Sequence, residues 1–265
     1  MDIDYGLLQN YCWVVTEDVE NMMLSVPAIQ LTDPEKCEQF LTAYKTFIQA
    51  EDLSAAATYF VAWFKGISAA QQYLVSFCDR QLDLSLSNLI IQLYPKGRVP
   101  WVAFKLIHTA EQPVPGEDHE EWRSRQLDRF YGEELYPLMA TFSRVSDTHI
   151  SQLWGQLPGG LHYFYGVMAA IAGDHEPLRE RFESDFQYTI RQINPSLFGL
   201  KKNPLNGTNI FIDNPYDPSQ PMRMKDACCQ AYRTGSGEGY CYSCPRLSNV
   251  ARNKMKQEII ASLEA

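Results

Sequence analysis

Along the first third of the chain, apolar positions recur every three to four residues. Cys37, Phe40, Leu41, Tyr44, Phe47 and Ile48 form one such stripe, the spacing of a helix with a single buried face. Thr32-Asp33-Pro34-Glu35, just ahead of it, supplies an N-cap, a proline at the first helical position and an acidic first turn. Two more helices are predicted at 54–64 and 68–80, the second with Tyr73, Leu74 and Phe77 on one face. The period then changes. Leu82, Leu84 and Leu86 alternate with polar residues, 89–94 is an apolar run of β-favouring residues, and such residues resume over 99–107. With Pro95-Lys96-Gly97-Arg98 between the last two, the pattern predicts a β-hairpin.

Residues 116–121 (GEDHEE) read as a solvated acidic loop, and 122–145 returns to a helical pattern. In 154–172, Pro158-Gly159-Gly160 reads as a turn feeding a buried helix, and 177–193 as one more amphipathic helix. Beyond Asn194 the texture shifts to Pro, Gly and Asn. Short strands at 208–212 and 222–225 are expected to pair across the intervening turn, and the second leads directly to Cys228. Leu247, Ala251, Met255 and Ile259 stand at helical spacing, so the chain is expected to close with a helix packed on the body. Arg252, Lys254 and Lys256 on that helix are expected to form a solvated face. A boundary near 195–205 divides a body, 1–200, from a C-terminal unit, 201–265.

Composition narrows the function classes. The 265 residues are 45% hydrophobic and 21% charged, ordinary values for a soluble globular protein. There is no apolar run long enough for a membrane span and no basic start resembling a signal peptide. The expected location is the cytoplasm, at most peripheral to the inner membrane. A net charge of −9 argues against binding nucleic acid. The charge is uneven: 1–200 holds 14 Lys+Arg against 26 Asp+Glu, whereas 201–265 holds 9 against 6.

Cysteine follows the same division. Cys12, Cys37 and Cys78 fall on apolar helical faces and read as core residues, while Cys228, Cys229, Cys241 and Cys244 lie within seventeen residues. An odd total of seven without an export signal makes a disulfide framework unattractive and a metal site attractive. A Cys-x-x-Cys turn points two thiolates into one space. The vicinal pair behaves differently, because adjacent side chains diverge and reach two metal atoms more readily than one. The spacing therefore favours a 2Fe–2S cluster, with a structural zinc ion in a non-enzymatic binding module as the alternative. Gly235, Gly237 and Gly239 lie between the pairs and would let the backbone wrap closely, with main-chain N–H groups offered to the sulfurs.

The segment CCQAYRTGSGEGYCYSC, preceded by MRMKDA, resembles the C-terminal signature of the FhuF family of 2Fe–2S ferric siderophore reductases. Gln230, Tyr232 and Arg233 after the vicinal pair are similar to that family as well. Weaker echoes lie at Gly97-Arg98-Val99, at Trp154 with the glycine-rich turn, and at Asn203-Pro204. Two features depart from the pattern: an inter-pair loop of eleven residues, one longer than the family's, and about twenty residues beyond Cys244. The body is faintly similar to the C-terminal region of siderophore synthetases, which would make it a chelate-shaped cradle.

The architecture expected from the element pattern and the cysteine segment is α+β, mainly helical, with a small antiparallel sheet and a C-terminal cluster-binding subdomain. The resemblance implies a 2Fe–2S cluster on Cys228, Cys229, Cys241 and Cys244, and one-electron reduction of a cytoplasmic Fe(III)-siderophore of hydroxamate or citrate-hydroxamate type, releasing Fe(II). Arg223, Lys225, Arg233 and Arg246 flank the ligands and are candidates for docking an anionic ferric chelate. No Walker, Rossmann or GxSxG motif occurs. An external electron donor is therefore expected, a ferredoxin, a flavoprotein or an NAD(P)H-dependent reductase. His108, His119, His149, His162 and His175 show no ligand spacing and read as structural. Met222 and Met224 fit the inner face of a strand.

Overall fold

The computed structural model describes residues 1–97, 99–116, 118–235, 237 and 239–264. Arg98 of the predicted turn, Glu117 of the acidic string, Ser236 and Glu238 of the inter-pair loop, and Ala265 lie outside the described residues.

In chain order the elements are α1 (Tyr5–Cys12), β1 (Val14–Val15), β2 (Leu24–Pro27), α2 (Pro34–Phe47), α3 (Leu53–Val61), α4 (Phe64–Phe77) and β3 (Arg80–Gln81). There follow β4 (Leu89–Lys96), β5 (Val99–Leu106), β6 (Gln112–Pro113), α5 (His119–Arg129), α6 (Tyr136–Ser146), α7 (Ile150–Trp154), α8 (Pro158–Ala172) and α9 (Glu176–Gln187). The last are β7 (Phe211–Ile212), β8 (Met222–Arg223) and α10 (Asn249–Glu264). The fold is α+β and mainly helical. No helix among the described residues is long and apolar enough to cross a membrane.

Helix α4 is the axis of the body. From Phe64 to Phe77 every residue except Lys65 is buried, because α1, α8 and α9 pack around it. A helix buried on all sides belongs in a core, its Ser68, Gln71, Gln72 and Ser76 included, and the one residue left half-buried, Lys65, lines the cleft described below. Helix α2 begins as its sequence predicts: Asp33 accepts the Lys36 N–H at 3.0 Å and Pro34 stands in the first turn. Asp52 caps α3 in the same way through Ala55 N–H at 2.9 Å.

The predicted hairpin is β4–β5, antiparallel with Leu89 opposite Leu106 and Lys96 opposite Val99. Gly97 takes the left-handed backbone that its turn requires, at φ +77°. The sheet has two members that the helical reading of the first eighty residues lacks. Strand β1 runs parallel to β5, and β2 antiparallel to β4, giving the order β1-β5-β4-β2.

Several predicted boundaries are corrected. The break between the second and third helices falls at 62–63, so α4 starts at Phe64 rather than at 68. Leu82, Leu84 and Leu86 are buried but form no strand; they alternate along an irregular segment that ends in a short 3-10 turn. The stretch 122–145 is two helices joined by a π-turn at Phe130–Leu135. The acidic string is not wholly a loop, since Asp118 accepts the Glu121 N–H and Glu120 and Glu121 lie in the first turn of α5, where carboxylates favour the helix dipole. Pro158, Gly159 and Gly160 are the first turn of α8 itself.

The hydrophobic cluster of the body has its last member at Leu205. Past it, β7 and β8 pair with Phe211 opposite Arg223 and Ile212 opposite Met222, in the expected region but only two residues long each. The closing helix is present and Lys254 is exposed as expected, yet Ala251 of its predicted stripe is exposed and Arg252 of its predicted solvated face is buried, which corrects the expectation at those two positions.

Candidate metal centre

The cysteine segment is fastened to the body at three places. The first is the vicinal pair. Gln152 and Gln156, one helical turn apart at α7 and just after it, both donate side-chain N–H groups to the carbonyl oxygen of Cys228. Close approach is possible because Gly155 lies between them; a Cβ there would stand 2.7 Å from the Ala227 methyl carbon.

The second is Gln230-Ala231-Tyr232-Arg233. Gln230 has φ +57° and is buried. Its amide donates to Ser54 Oγ at 3.3 Å and to Thr58 Oγ1 at 3.1 Å on α3. Arg233 donates to Gln230 Oε1 at 2.7 Å, to Glu51 at 2.8 Å and to the Asp52 carboxylate that caps α3. Main-chain bonds complete the contact, from Glu51 N to Arg233 O and from Gly235 N to Ile48 O. Gly235 serves approach to the body, since a Cβ there would lie 2.5 Å from the Gln49 side chain, and Gly237 lets the segment pack on itself, since a Cβ there would strike the Ala231–Tyr232 backbone. The N–H groups of Gly235 and Gly237 are bonded to carbonyls, not to sulfurs.

The third is the Cys241–Cys244 turn. Lys225 N donates to Ser243 O at 3.0 Å, joining the end of β8 to the turn. From α10, Arg252 donates to the carbonyls of Tyr242 at 3.1 Å, Cys244 at 2.8 Å and Leu247 at 3.2 Å.

These fastenings hold the four predicted cysteines near one another. Cys228 Sγ and Cys244 Sγ are 3.5 Å apart and buried, Cys229 is half-buried, and Cys241 is exposed. The Lys225 ammonium lies 3.5 Å from Cys229 Sγ and also reaches the Cys241 thiol. Cys228 and Cys244 form one close pair, and Cys229 and Cys241 share the Lys225 ammonium; among the described residues no three Cys, His, Asp or Glu side chains converge on a single point. Soft thiolates in two pairs fit a two-iron cluster, with each pair able to serve one metal atom. Burial acts to lower the pKa of Lys225, but the neighbouring Cys229 and Cys241 sulfurs outweigh it and raise it above the usual lysine value. Burial raises Cys244, with the neighbouring Cys228 sulfur adding to the effect.

A cleft of 440 Å³ opens beside Cys229. Its walls include Trp13, Lys65, Gly159 and Tyr163 of the body and Arg223, Lys225 and Cys229 of the cysteine segment. Lys65 is pushed below the usual lysine range first by burial and then by the charge of Lys225. Sequence reasoning missed Lys65 and the whole body side of this cleft. The one local signal was a lysine inside an otherwise apolar helical run.

The four flanking cations are placed differently. Lys225 and Arg223 line the cleft, with Arg223 already paired to Asp226 at 3.3 Å and Asn209 at 2.6 Å. Arg233 faces α3, and Arg246 donates to the Tyr232 hydroxyl at 3.1 Å. Cys12, Cys37 and Cys78 are buried in the body, where burial raises the pKa of each. His149 and His175 cap α7 and α9, and His119 pairs with the buried Asp185 at 3.0 Å.

Comparison with known proteins bears on the same segment. Residues 227–246 match the model of the FhuF 2Fe-2S C-terminal domain, a span that contains all four clustered cysteines. Over this stretch the chain resembles the FhuF family, and the cofactor indicated is a 2Fe–2S cluster. No curated protein matches the chain.

Proposed function

We propose that the protein is a ferric siderophore reductase that passes one electron to an Fe(III)-siderophore of hydroxamate or citrate-hydroxamate type and releases Fe(II). The observation that carries this reading is that Cys229, a candidate ligand, forms part of the wall of a cleft that also presents Lys65 and Lys225. When bound by Cys228, Cys229, Cys241 and Cys244, a 2Fe–2S cluster supplies a one-electron donor at that wall. The chain's own residues then bind and orient the chelate. Lys65 and Lys225 attract an anionic complex, and Trp13 and Tyr163 give its organic arms an aromatic surface. The cleft volume lies in the range of small-molecule sites. In this reading 1–200 is the cradle and 201–265 the cluster-carrying unit.

Docking is assigned to Lys225, with Arg223 at the rim, whereas Arg233 and Arg246 hold the cysteine segment in shape. Electrons come from an external ferredoxin, flavoprotein or NAD(P)H-dependent reductase. Hydroxamate and hydroxycarboxylate oxygens are hard donors that hold ferric iron better than ferrous, so one electron is sufficient to loosen the metal.

The test uses anaerobic, dithionite-reduced protein mixed with a ferric trihydroxamate and, separately, ferric citrate-hydroxamate. Reoxidation of the cluster should be stoichiometric with Fe(II) trapped by a ferrous chelator. A Cβ on Gly159 meets nothing within 4 Å, so Gly159→Phe should fill the cleft and weaken chelate binding about tenfold, a change of about 1.4 kcal/mol, while leaving the visible spectrum intact. A reduced cluster that neither chelate reoxidises would sink the assignment.

A further inference from the structure

The four thiols differ in their surroundings, and the difference runs across the vicinal pair. Cys228 and Cys244 are 5% and 2% exposed and face each other at 3.5 Å. Two thiolates on one tetrahedral metal, with bonds of about 2.3 Å, lie about 3.8 Å apart, so these two have the spacing of ligands to the same atom. Cys229 lines the cleft, Cys241 is exposed to solvent, and the two share the Lys225 ammonium. Adjacent residues in the chain thus belong to opposite sides of the centre.

We propose that Cys228 with Cys244 and Cys229 with Cys241 are the two ligand pairs, and that Lys225 makes the Cys229–Cys241 side, which faces the cleft, the side that accepts the incoming electron. The proposal rests on the four-thiol reading of the centre and is independent of what the cleft binds. Its physical basis is charge. One electron from an external reductant adds one negative charge to a centre that is already anionic, with no proton moved. A fixed ammonium 3.5 Å from Cys229 Sγ stabilises that charge on its own side. On the other side the Arg246 guanidinium is close enough to feel Cys228 but donates to the Tyr232 hydroxyl, and the buried Arg252 guanidinium donates to the Cys244 carbonyl. The Cys244 sulfur accepts from the uncharged Arg246 main-chain N–H, so among the described residues no charged donor on that side meets a thiol. Cys229 also forms part of the cleft wall, so uptake and delivery of the electron would use the same exposed edge.

Mössbauer spectra of iron-57-enriched, dithionite-reduced protein resolve ferrous and ferric components separately. Cys229→Ser or Cys241→Ser should change the ferrous component and leave the ferric one. Cys228→Ser or Cys244→Ser should do the reverse. The opposite assignment overturns the proposal. Lys225 is not a ligand, so its variants answer the question even where a serine variant loses the cluster. Lys225→Met should keep its iron and sulfide content while its midpoint potential moves to a more negative value, and Lys225→Arg should restore most of the shift. An unchanged potential in Lys225→Met also overturns it. Neither readout involves a siderophore, so this proposal and the reductase reading stand or fall separately.

Discussion

Arg252 Nη2 donates to the carbonyl oxygen of Cys244 at 2.8 Å, from a guanidinium that is almost wholly buried. The same side chain reaches the carbonyls of Tyr242 and Leu247. One residue of α10 thereby closes the Cys-x-x-Cys turn from behind, satisfying main-chain acceptors that the irregular turn leaves without strand or helix partners.

Removing this closure should be felt at the metal centre before it is felt in the body. Arg252→Ala leaves three carbonyls without their charged donor, a loss of about 2 kcal/mol. The variant should keep its helical circular dichroism and lose cluster absorbance to a chelator several-fold faster than the parent. An unchanged rate would mean that α10 has no part in holding the turn.

Gly237 is a second point of closure, at the other end of the loop. A Cβ there would fall 2.5 Å from Tyr232 Cα and closer still to the Ala231 carbonyl oxygen. Those are backbone atoms and cannot swing aside as a flexible side chain would. Gly237→Ala should therefore purify with most of its iron and acid-labile sulfide missing, while far-ultraviolet circular dichroism of the body is retained. Full iron and sulfide content would show that the loop can rearrange without cost.

The loop and the closing helix also show what a sequence can and cannot convey. The four cysteines were legible because their spacing is itself the signal, and the β4–β5 hairpin because two β-favouring runs flank a turn. Strand β1 was hidden: it is two residues long and is defined by pairing Val14 with Phe104, ninety positions away. Arg252 reads as one of three cations on an exposed helix, and only the carbonyls of the preceding turn reveal why it is buried. Apart from the lysine inside an apolar helical run, the cleft had no local signature. Trp13, Lys65, Gly159 and Cys229 meet because α4 and α8 pack together beside the cysteine segment, and no spacing rule connects them.

The clamp between Arg233 and the start of α3 should be pH-sensitive at the acid end. Burial acts to raise the Asp52 carboxyl, but the Ala55 N–H and the Arg233 guanidinium outweigh it and hold the group below its ordinary 3.8. A folded value below the unfolded one means that the stabilisation is present above about pH 4 and is lost as pH falls through the folded value. Asp52→Ala removes both the α3 cap, about 1 kcal/mol, and the clamp. Hydrogen exchange over 230–235 should accelerate in this variant at neutral pH and in the parent only below about pH 4. Equal protection in both at pH 7 would remove the clamp from the account.

His162 on α8 should give a separate slope nearer neutrality. Burial is the largest influence lowering its pKa from 6.5, and the Arg223 guanidinium adds to it, against smaller opposing effects from Asp226 and the Asn206 backbone. Its Nε2 is buried and has no hydrogen-bond partner among the described residues, so the neutral ring suits the site and the imidazolium does not. With the folded value depressed, the unfolded chain takes up the proton first. The stability contributed by the neutral ring is complete above the unfolded value of about 6.5 and declines as pH falls through that value toward the folded one. Urea midpoints of the cluster-loaded protein should fall between about pH 7.5 and 5.5, the interval that brackets an unperturbed histidine. His162→Gln, which cannot titrate, should fall by less over the same interval. Because Arg223 also forms part of the cleft wall, Arg223→Gln should raise the His162 pKa as measured by proton NMR. A slope in His162→Gln as steep as in the parent would assign the acid lability to other groups.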